Sequence, residues 1–262
     1  MLASMQVACS IFSGLIFRNT KNKIVMAKFT GKNILVVGAS SGIGNQIAKN
    51  VIEQGGTVFS ASRNKPGQLD VRHMPLDVLN MSGDELNELP EALHGLVYCP
   101  GTINLKPFQR LSKEDFQQDF NINTLGAVQV VQAVLNRLKK AEHSSLVFFS
   151  TVAFTVGMNF HASIAAAKGA LEGVARSLAA EYSASGVRVN IVAPSLTDTP
   201  LATKLLSSDT KREATAKRHP IPRVGTIADM SSAATFLLSD DAAWITGQKI
   251  GVDGGMSNLR TI

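Results

Sequence analysis

The seven residues Gly38-Ala39-Ser40-Ser41-Gly42-Ile43-Gly44 constrain this chain more than any other stretch. They follow a short apolar run, Asn33–Val37, and open a helical pattern, Ile43–Gln54, that ends at a glycine pair. Glycines let a backbone turn tightly and come close to a pyrophosphate, and a helix N-terminus adds free N–H groups and a positive dipole end. A glycine-rich turn carries this meaning only between a strand and a helix, and that is its setting here.

The same alternation continues along the chain. Val58–Ser60, Leu96–Cys99, Leu146–Phe149, Val187–Val192 and Lys249–Val252 read as strands. Leu86–Leu93, Phe116–Leu138, Ser163–Ala180 and Ala228–Leu238 read as helices. Strands alternating with helices imply βαβ crossovers. The expected fold is therefore α/β: a single Rossmann-type, doubly wound parallel sheet with helices on both faces. Ligands of such sheets lie beyond the carboxyl ends of the strands.

Composition narrows the function classes. The chain of 262 residues is 45% hydrophobic and 18% charged, enough apolar mass for one sizeable core. Its formal charge of +6 falls to +3 without Arg18, Lys21 and Lys23, and no Lys/Arg run marks the body, so a nucleic-acid partner is not expected. Cys9 and Cys99 lie far apart, which argues against a disulfide framework and for a reducing, cytoplasmic setting. No Cys/His cluster has metal-site spacing.

Residues 1–25 read as an extension. Val7–Phe17 is apolar but too short for a membrane span, which takes about 20 residues. It has neither a basic leader nor a small-residue cleavage site. Met26 reads as the natural start of a single domain over 26–262. A targeting segment is the alternative reading, since the first acid is Glu53.

The loop spacing is G-x-x-x-G-x-G, and with it the chain resembles the short-chain dehydrogenase/reductase family over nearly all of residues 30–257. Leu76-Asp77-Val78 looks like the family's adenine-contacting segment. Cys99-Pro100-Gly101 stands where Asn-Ala-Gly is usual. Asn123 matches the structural Asn of the long central helix. Pro194-Ser195 replaces the usual Pro-Gly, and Thr197 and Thr199 follow, with Thr199 at the carboxamide-holding position. Arg223-Val-Gly225, Ile245-Thr-Gly-Gln248 and Val252-Asp-Gly-Gly255 resemble the family's C-terminal third. The resemblance implies that Gly38, Ser40, Ser41, Gly42, Ile43, Gly44, Asp77, Val78, Pro100, Gly101, Pro194, Thr197 and Thr199 bind a nicotinamide dinucleotide.

Ala61-Ser62-Arg63-Asn64 chooses among such cofactors. An acid after the second strand would accept from the ribose of NAD, and none is present. Ser62 and the Arg63 guanidinium suit a 2′-phosphate instead, so NADP(H) is expected.

The family's working group is Ser, Tyr and Lys, supported by Asn. Asn123 and Lys168 match directly, and Lys168 would also bind the ribose. Thr151 matches the Ser and keeps its hydroxyl. The tyrosine position, four residues before Lys168 and 13 after Thr151, is Ile164, which neither donates nor ionises. His161, one turn earlier, is the stand-in acid to consider, while Tyr98 on a strand reads as core.

Two functions follow. One is an NADP(H)-dependent oxidoreductase acting on a small carbonyl or alcohol with an altered proton donor. The other is a catalytically degenerate NADP(H)-binding sensor or assembly subunit. By resemblance, the polar stretch 196–222 is a substrate lid, and the small residues of 163–180 suit a homodimer or homotetramer.

Overall fold

The computed structural model describes residues 16–18 and 24–260. Most of the N-terminal apolar stretch and Cys9 therefore lie outside the described residues. β1 (Ile16–Arg18) of the expected extension pairs antiparallel with β2 (Ile24–Met26), which crosses its boundary at residue 26, apart from the main sheet.

The main sheet has seven strands: β3 (Asn33–Val37), β4 (Thr57–Ser62), β5 (Arg72–Pro75), β6 (Gly95–Tyr98), β7 (Ser144–Phe149), β8 (Val187–Pro194) and β9 (Lys249–Val252). Their order is β5-β4-β3-β6-β7-β8-β9, and every pair is parallel. The chain builds outward from β3 to β5, returns to β6 beside β3, and then builds outward the other way. The switch point thus lies between β3 and β6, where a crevice opens beyond the strand ends. The central strands are apolar at consecutive positions because both faces are covered.

One face packs α1 (Gly42–Glu53) against α7 (Ile227–Leu238), with Ile47, Val51, Met230 and Leu237 in its core. The other packs α2 (Lys113–Phe120), α3 (Gly126–Lys140) and α5 (Ala162–Tyr182), with Val130, Val134, Leu171 and Phe148 inside. The doubly wound expectation holds.

Three local readings change. Leu86–Leu93 is not a helix: only a 3₁₀ turn forms, at Asp84–Leu86. Pro90 explains this, because it disfavours the helical conformation at Leu89 and brings no N–H. Leu86, Leu89 and Leu93 still fill the core, without a helix to carry them. Arg72–Pro75 is a strand that too few alternating residues announce. The expected helix 116–138 is α2 and α3 joined by a π turn at Asn121–Leu125. Asn123 Nδ2 donates to the Asp119 carbonyl, the group that its own backbone N–H would take in a regular helix.

Candidate active site

The glycine loop is fixed by close approach at two positions. Gly38 has φ +83° and donates its N–H to the Ala61 carbonyl at 2.8 Å. A Cβ on Gly44 would stand 2.4 Å from the Gly38 carbonyl oxygen, so only glycine fits with the loop in this shape. Asn45 Nδ2 donates to the Ala39 carbonyl at 3.0 Å and ties the turn to α1. Ser41 occupies the N-cap position, yet its side chain caps no N–H. The first N–H groups of α1 therefore take no side-chain cap from Ser41.

A cleft of about 300 Å³ runs along this loop and is lined by Gly38, Ser40, Ser41, Gly42, Ile43 and Gly44. The same cleft collects Ser62 and Arg63 from the end of β4, Asp77 and Val78 after β5, Pro100 and Gly101 after β6, and Thr199. Ser62 is buried and donates to the Asn64 carbonyl at 2.9 Å, while Arg63 is exposed. Asp77 accepts from the Leu79 N–H at 3.1 Å and from Asn80 Nδ2 at 3.3 Å, which folds this loop into a turn.

A larger cleft of about 910 Å³ adjoins the first and shares Ile43, Cys99, Gly101 and Thr199 with it. Thr151, His161, Ile164, Lys168, Pro194 and Thr197 line it. Ile164 and Lys168 are both buried on one face of α5. Thr151 caps α4 (Val152–Val156), with its Oγ1 accepting from the Ala153 N–H at 3.2 Å; its own proton remains available. Pro194 ends β8, and Thr197 Oγ1 donates to the Ser195 carbonyl at 3.0 Å.

Asn123 and Lys168 meet at Gly101. A Cβ on Gly101 would lie 3.3 Å from Asn123 Oδ1 and 3.8 Å from Lys168 Nζ. Asn123 Nδ2 donates to Thr102 Oγ1 at 2.9 Å, and Thr102 Oγ1 donates to Asp119 Oδ1 at 2.5 Å. Asn123 Oδ1 and Asp119 Oδ2 are buried with no partner, so the corner holds unused acceptors beside an ammonium. Burial pushes the Lys168 ammonium down to about 8, against the opposing pull of Cys99 and Asp119. Thr124 Oγ1 donates to the Ala167 carbonyl at 2.7 Å, which locks α5 to the π turn next to Lys168.

His161 lies at the N-cap of α5, and its Nδ1 is 2.7 Å from the Asn159 carbonyl. Tyr98 is buried and donates to the Ile122 carbonyl at 2.6 Å, as a core tyrosine. Burial raises its phenol above the ordinary value.

Three groups at the site were not singled out from sequence. Buried Glu172 accepts from Oγ of Ser150, the residue before Thr151, at 2.6 Å and pairs with Lys249 at 3.0 Å. Asp119 and Thr102 extend the Asn123 network. His219 reaches Ser195 across the large cleft. Each of these contacts joins separate elements, so no local pattern announces it.

Residues 196–222 cover this cleft with a 3₁₀ turn at Pro200–Ala202 and with α6 (Asp209–Ala216). Arg212 and Asp198 pair at 2.7 Å across the segment, whose own Ala202, Leu206 and Thr215 are buried. Among the described residues, no three His, Cys, Asp or Glu side chains gather as a metal site, and no helix is long and apolar enough to cross a membrane.

Known proteins share this arrangement. The family profile described as enoyl-(acyl carrier protein) reductase matches residues 38–257. The chain is 31% identical to a 3-oxoacyl-(acyl-carrier-protein) reductase of Vibrio harveyi, over 86% of this chain and 97% of that protein. It is also 31% identical to an L-xylulose reductase of Caenorhabditis elegans, over 88% and 97%. The aldohexose dehydrogenase of Thermoplasma acidophilum superimposes with a TM-score of 0.81 at 28% identity, over 88% and 96%. With the glycine cradle, the switch-point crevice and the sequence matches in agreement, the chain belongs to the short-chain dehydrogenase/reductase family, whose members are oxidoreductases using nicotinamide cofactors.

Proposed function

We propose that this protein is an NADP(H)-dependent oxidoreductase acting on a small carbonyl or alcohol, with a proton donor other than the family's tyrosine. The observation that carries the reading is the continuity of the two clefts. The glycine cradle, which a Cβ at Gly44 would fill, opens directly onto Lys168 and Thr151. A nicotinamide dinucleotide bound there supplies the hydride. The residues supply everything else. The loop N–H groups and the start of α1 hold the pyrophosphate. Arg63 and Ser62 take the 2′-phosphate, and Asp77 and Val78 flank the adenine. Lys168, beside the unused Asn123 Oδ1, binds the ribose hydroxyls. Thr151 donates to the substrate oxygen. The mainly apolar wall, with Leu105, Met158 and Leu205, excludes water.

A second reading rests on Ile164 itself. In it the protein binds NADP(H) without turnover, as a sensor or an assembly subunit. One sample separates the two: NADPH affinity by fluorescence, then NADPH consumption with ketones, sugars and 3-oxoacyl thioesters. Binding with consumption supports the enzyme, and binding alone supports the sensor. Absence of dinucleotide binding removes both.

The working unit in either case is one domain over residues 26–262 with a lid around 196–222, in the cytoplasm. A homodimer or homotetramer fits the bare outer side of α5, where a Cβ on Gly173 would meet nothing within 4 Å.

A further inference from the structure

Two departures from the family pattern face the same cleft. Ile164 removes a proton donor, and Ser195 adds a hydroxyl where glycine is usual. Ser195 follows the end of β8, next to β7, which ends just before Thr151. Its Oγ lies 2.9 Å from Nε2 of His219, on the lid. His219 is 5% exposed, and its Nδ1 lies 2.8 Å from the Thr215 carbonyl. A carbonyl only accepts, so Nδ1 carries a hydrogen in either charge state and Nε2 is the atom free to exchange a proton.

From this geometry we infer that Ser195 and His219 form the proton relay that serves the substrate oxygen in place of the missing tyrosine. The inference rests on the oxidoreductase reading above. In the reducing direction, the reduced nicotinamide is the hydride source, and the carbonyl carbon becomes an alkoxide carbon. The Ser195 O–H bond breaks, and its proton goes to the alkoxide oxygen. The Nε2–H bond of the His219 imidazolium breaks in turn, and that proton restores the Ser195 hydroxyl. The products are the alcohol and a neutral His219. Oxidation runs the same path backwards: the neutral Nε2 accepts from Ser195 as Ser195 takes the alcohol proton. A hydroxyl suits this place because it accepts and donates at once.

Ser195 and His219 also border a neighbouring cavity of about 320 Å³, which gives His219 a second side for proton exchange. Arg223, Asp229 and Asp253 line that cavity, while Lys211 and Arg218 line the large cleft. Burial works to raise the Asp253 carboxyl, but hydrogen bonds from Ser257 and Gly255 and the nearby His219 hold it below its ordinary value. His161 lacks such a relay: its Nδ1 faces the Asn159 carbonyl, and no hydroxyl bridges it onward.

The test uses the full chain and the variants Ser195→Ala, Ser195→Gly, Ser195→Thr and His219→Gln. NADPH dissociation constants, kcat and KM are measured for each. Ser195→Gly installs the family's residue, so a folding failure there is not expected. The expected result is a fall in kcat of about 10²-fold or more for Ser195→Ala, Ser195→Gly and His219→Gln, with NADPH affinity unchanged. Ser195→Thr keeps most of the rate because it keeps the hydroxyl. In cofactor-free protein, the ¹⁵N resonance of His219 Nε2 shifts in Ser195→Ala. Turnover that survives Ser195→Ala, or a loss carried by His161→Ala instead, overturns the relay alone. Wild-type protein that binds NADPH and reduces no carbonyl overturns the oxidoreductase reading and the relay with it.

Discussion

Ile164 and Lys168 stand one helical turn apart on the buried face of α5, and both side chains line the cleft that adjoins the glycine cradle. A phenol at 164 would sit beside an ammonium that burial already holds down to about 8. Ile164→Tyr therefore supplies a second proton donor. In the Ser195→Ala background it recovers turnover, by the order of 10²-fold that a positioned acid contributes. NADPH consumption by the two single variants and the double variant measures this. A double variant as slow as Ser195→Ala would mean that proton transfer does not limit the reaction.

Arg63 is the residue proposed to choose between the two cofactors. It is exposed at the rim of the smaller cleft, and no acid follows β4 to accept from a ribose hydroxyl. A charged hydrogen bond of about 1.5–3 kcal/mol corresponds to roughly 10- to 150-fold in affinity. Arg63→Ala should weaken NADPH by about that factor and leave NADH nearly unchanged. Fluorescence titration with both nucleotides checks it. Equal weakening of both would place the guanidinium away from the 2′-phosphate.

Gly44→Ala tests the cradle. Its Cβ would meet the Gly38 carbonyl at 2.4 Å, backbone against backbone, so the loop must open. Dinucleotide affinity should fall by at least about tenfold. The far-UV spectrum should stay native, because the strain is confined to one turn. A variant that binds NADPH as tightly as wild type would show that the loop relaxes without cost.

What was legible in the sequence was local. The loop announces itself because close backbone approach demands glycine at fixed positions, and Thr151, Ile164 and Lys168 because they stand where the resembled family carries its Ser, Tyr and Lys. The pairs that complete the site were not legible. Ser195 and His219 are 24 residues apart and meet only through the fold of residues 196–222. Glu172 reads as a surface residue of an Ala-rich helix until Lys249 of β9 is brought to it. β5 was missed because Arg72-His-Met-Pro75 has no alternation and pairs only because β4 offers an edge. Leu86–Leu93 reads as a helix locally, but Pro90 breaks it and only the turn at Asp84–Leu86 forms.

Glu172 leads to a stability prediction. Its side chain is 4% exposed, with Lys249 at 3.0 Å and Ser150 Oγ at 2.6 Å. Removing one partner of a buried pair strands the other charge, at about 3–5 kcal/mol when both are fully buried. Lys249 is 28% exposed, so Lys249→Met should cost less, about 2 kcal/mol. Glu172→Gln keeps an acceptor for Ser150 and strands no buried charge, so its cost should be smaller still. Urea unfolding of both variants checks the order. The reverse order would mean that the half-buried Lys249 ammonium is costlier to leave unpaired than the Glu172 carboxylate.

Lys168 and Cys99 carry opposite pH dependences in one corner of the site. Burial lowers Lys168 from an ordinary value of about 10.4 to about 8. Between these values the unfolded chain holds a proton that the folded protein has lost, so stability rises with pH. Burial raises the Cys99 thiol from about 8.5 to about 12, partly offset by the Lys168 charge. There the folded protein keeps a proton that the unfolded chain has lost, so stability falls with pH. The two slopes have opposite sign, so wild-type stability should change less with pH between about 8.5 and 10 than that of either single variant. Cys99→Ala exposes the Lys168 slope, and its stability should rise by about 2 kcal/mol from pH 8 to 10. Lys168→Met exposes the Cys99 slope and should fall by about the same amount. Above pH 10 the raised phenol of Tyr98 adds a further decline, so the comparison ends there. Urea denaturation at half-unit steps measures all three proteins, and parallel curves for the two variants would show that neither group titrates as its burial requires.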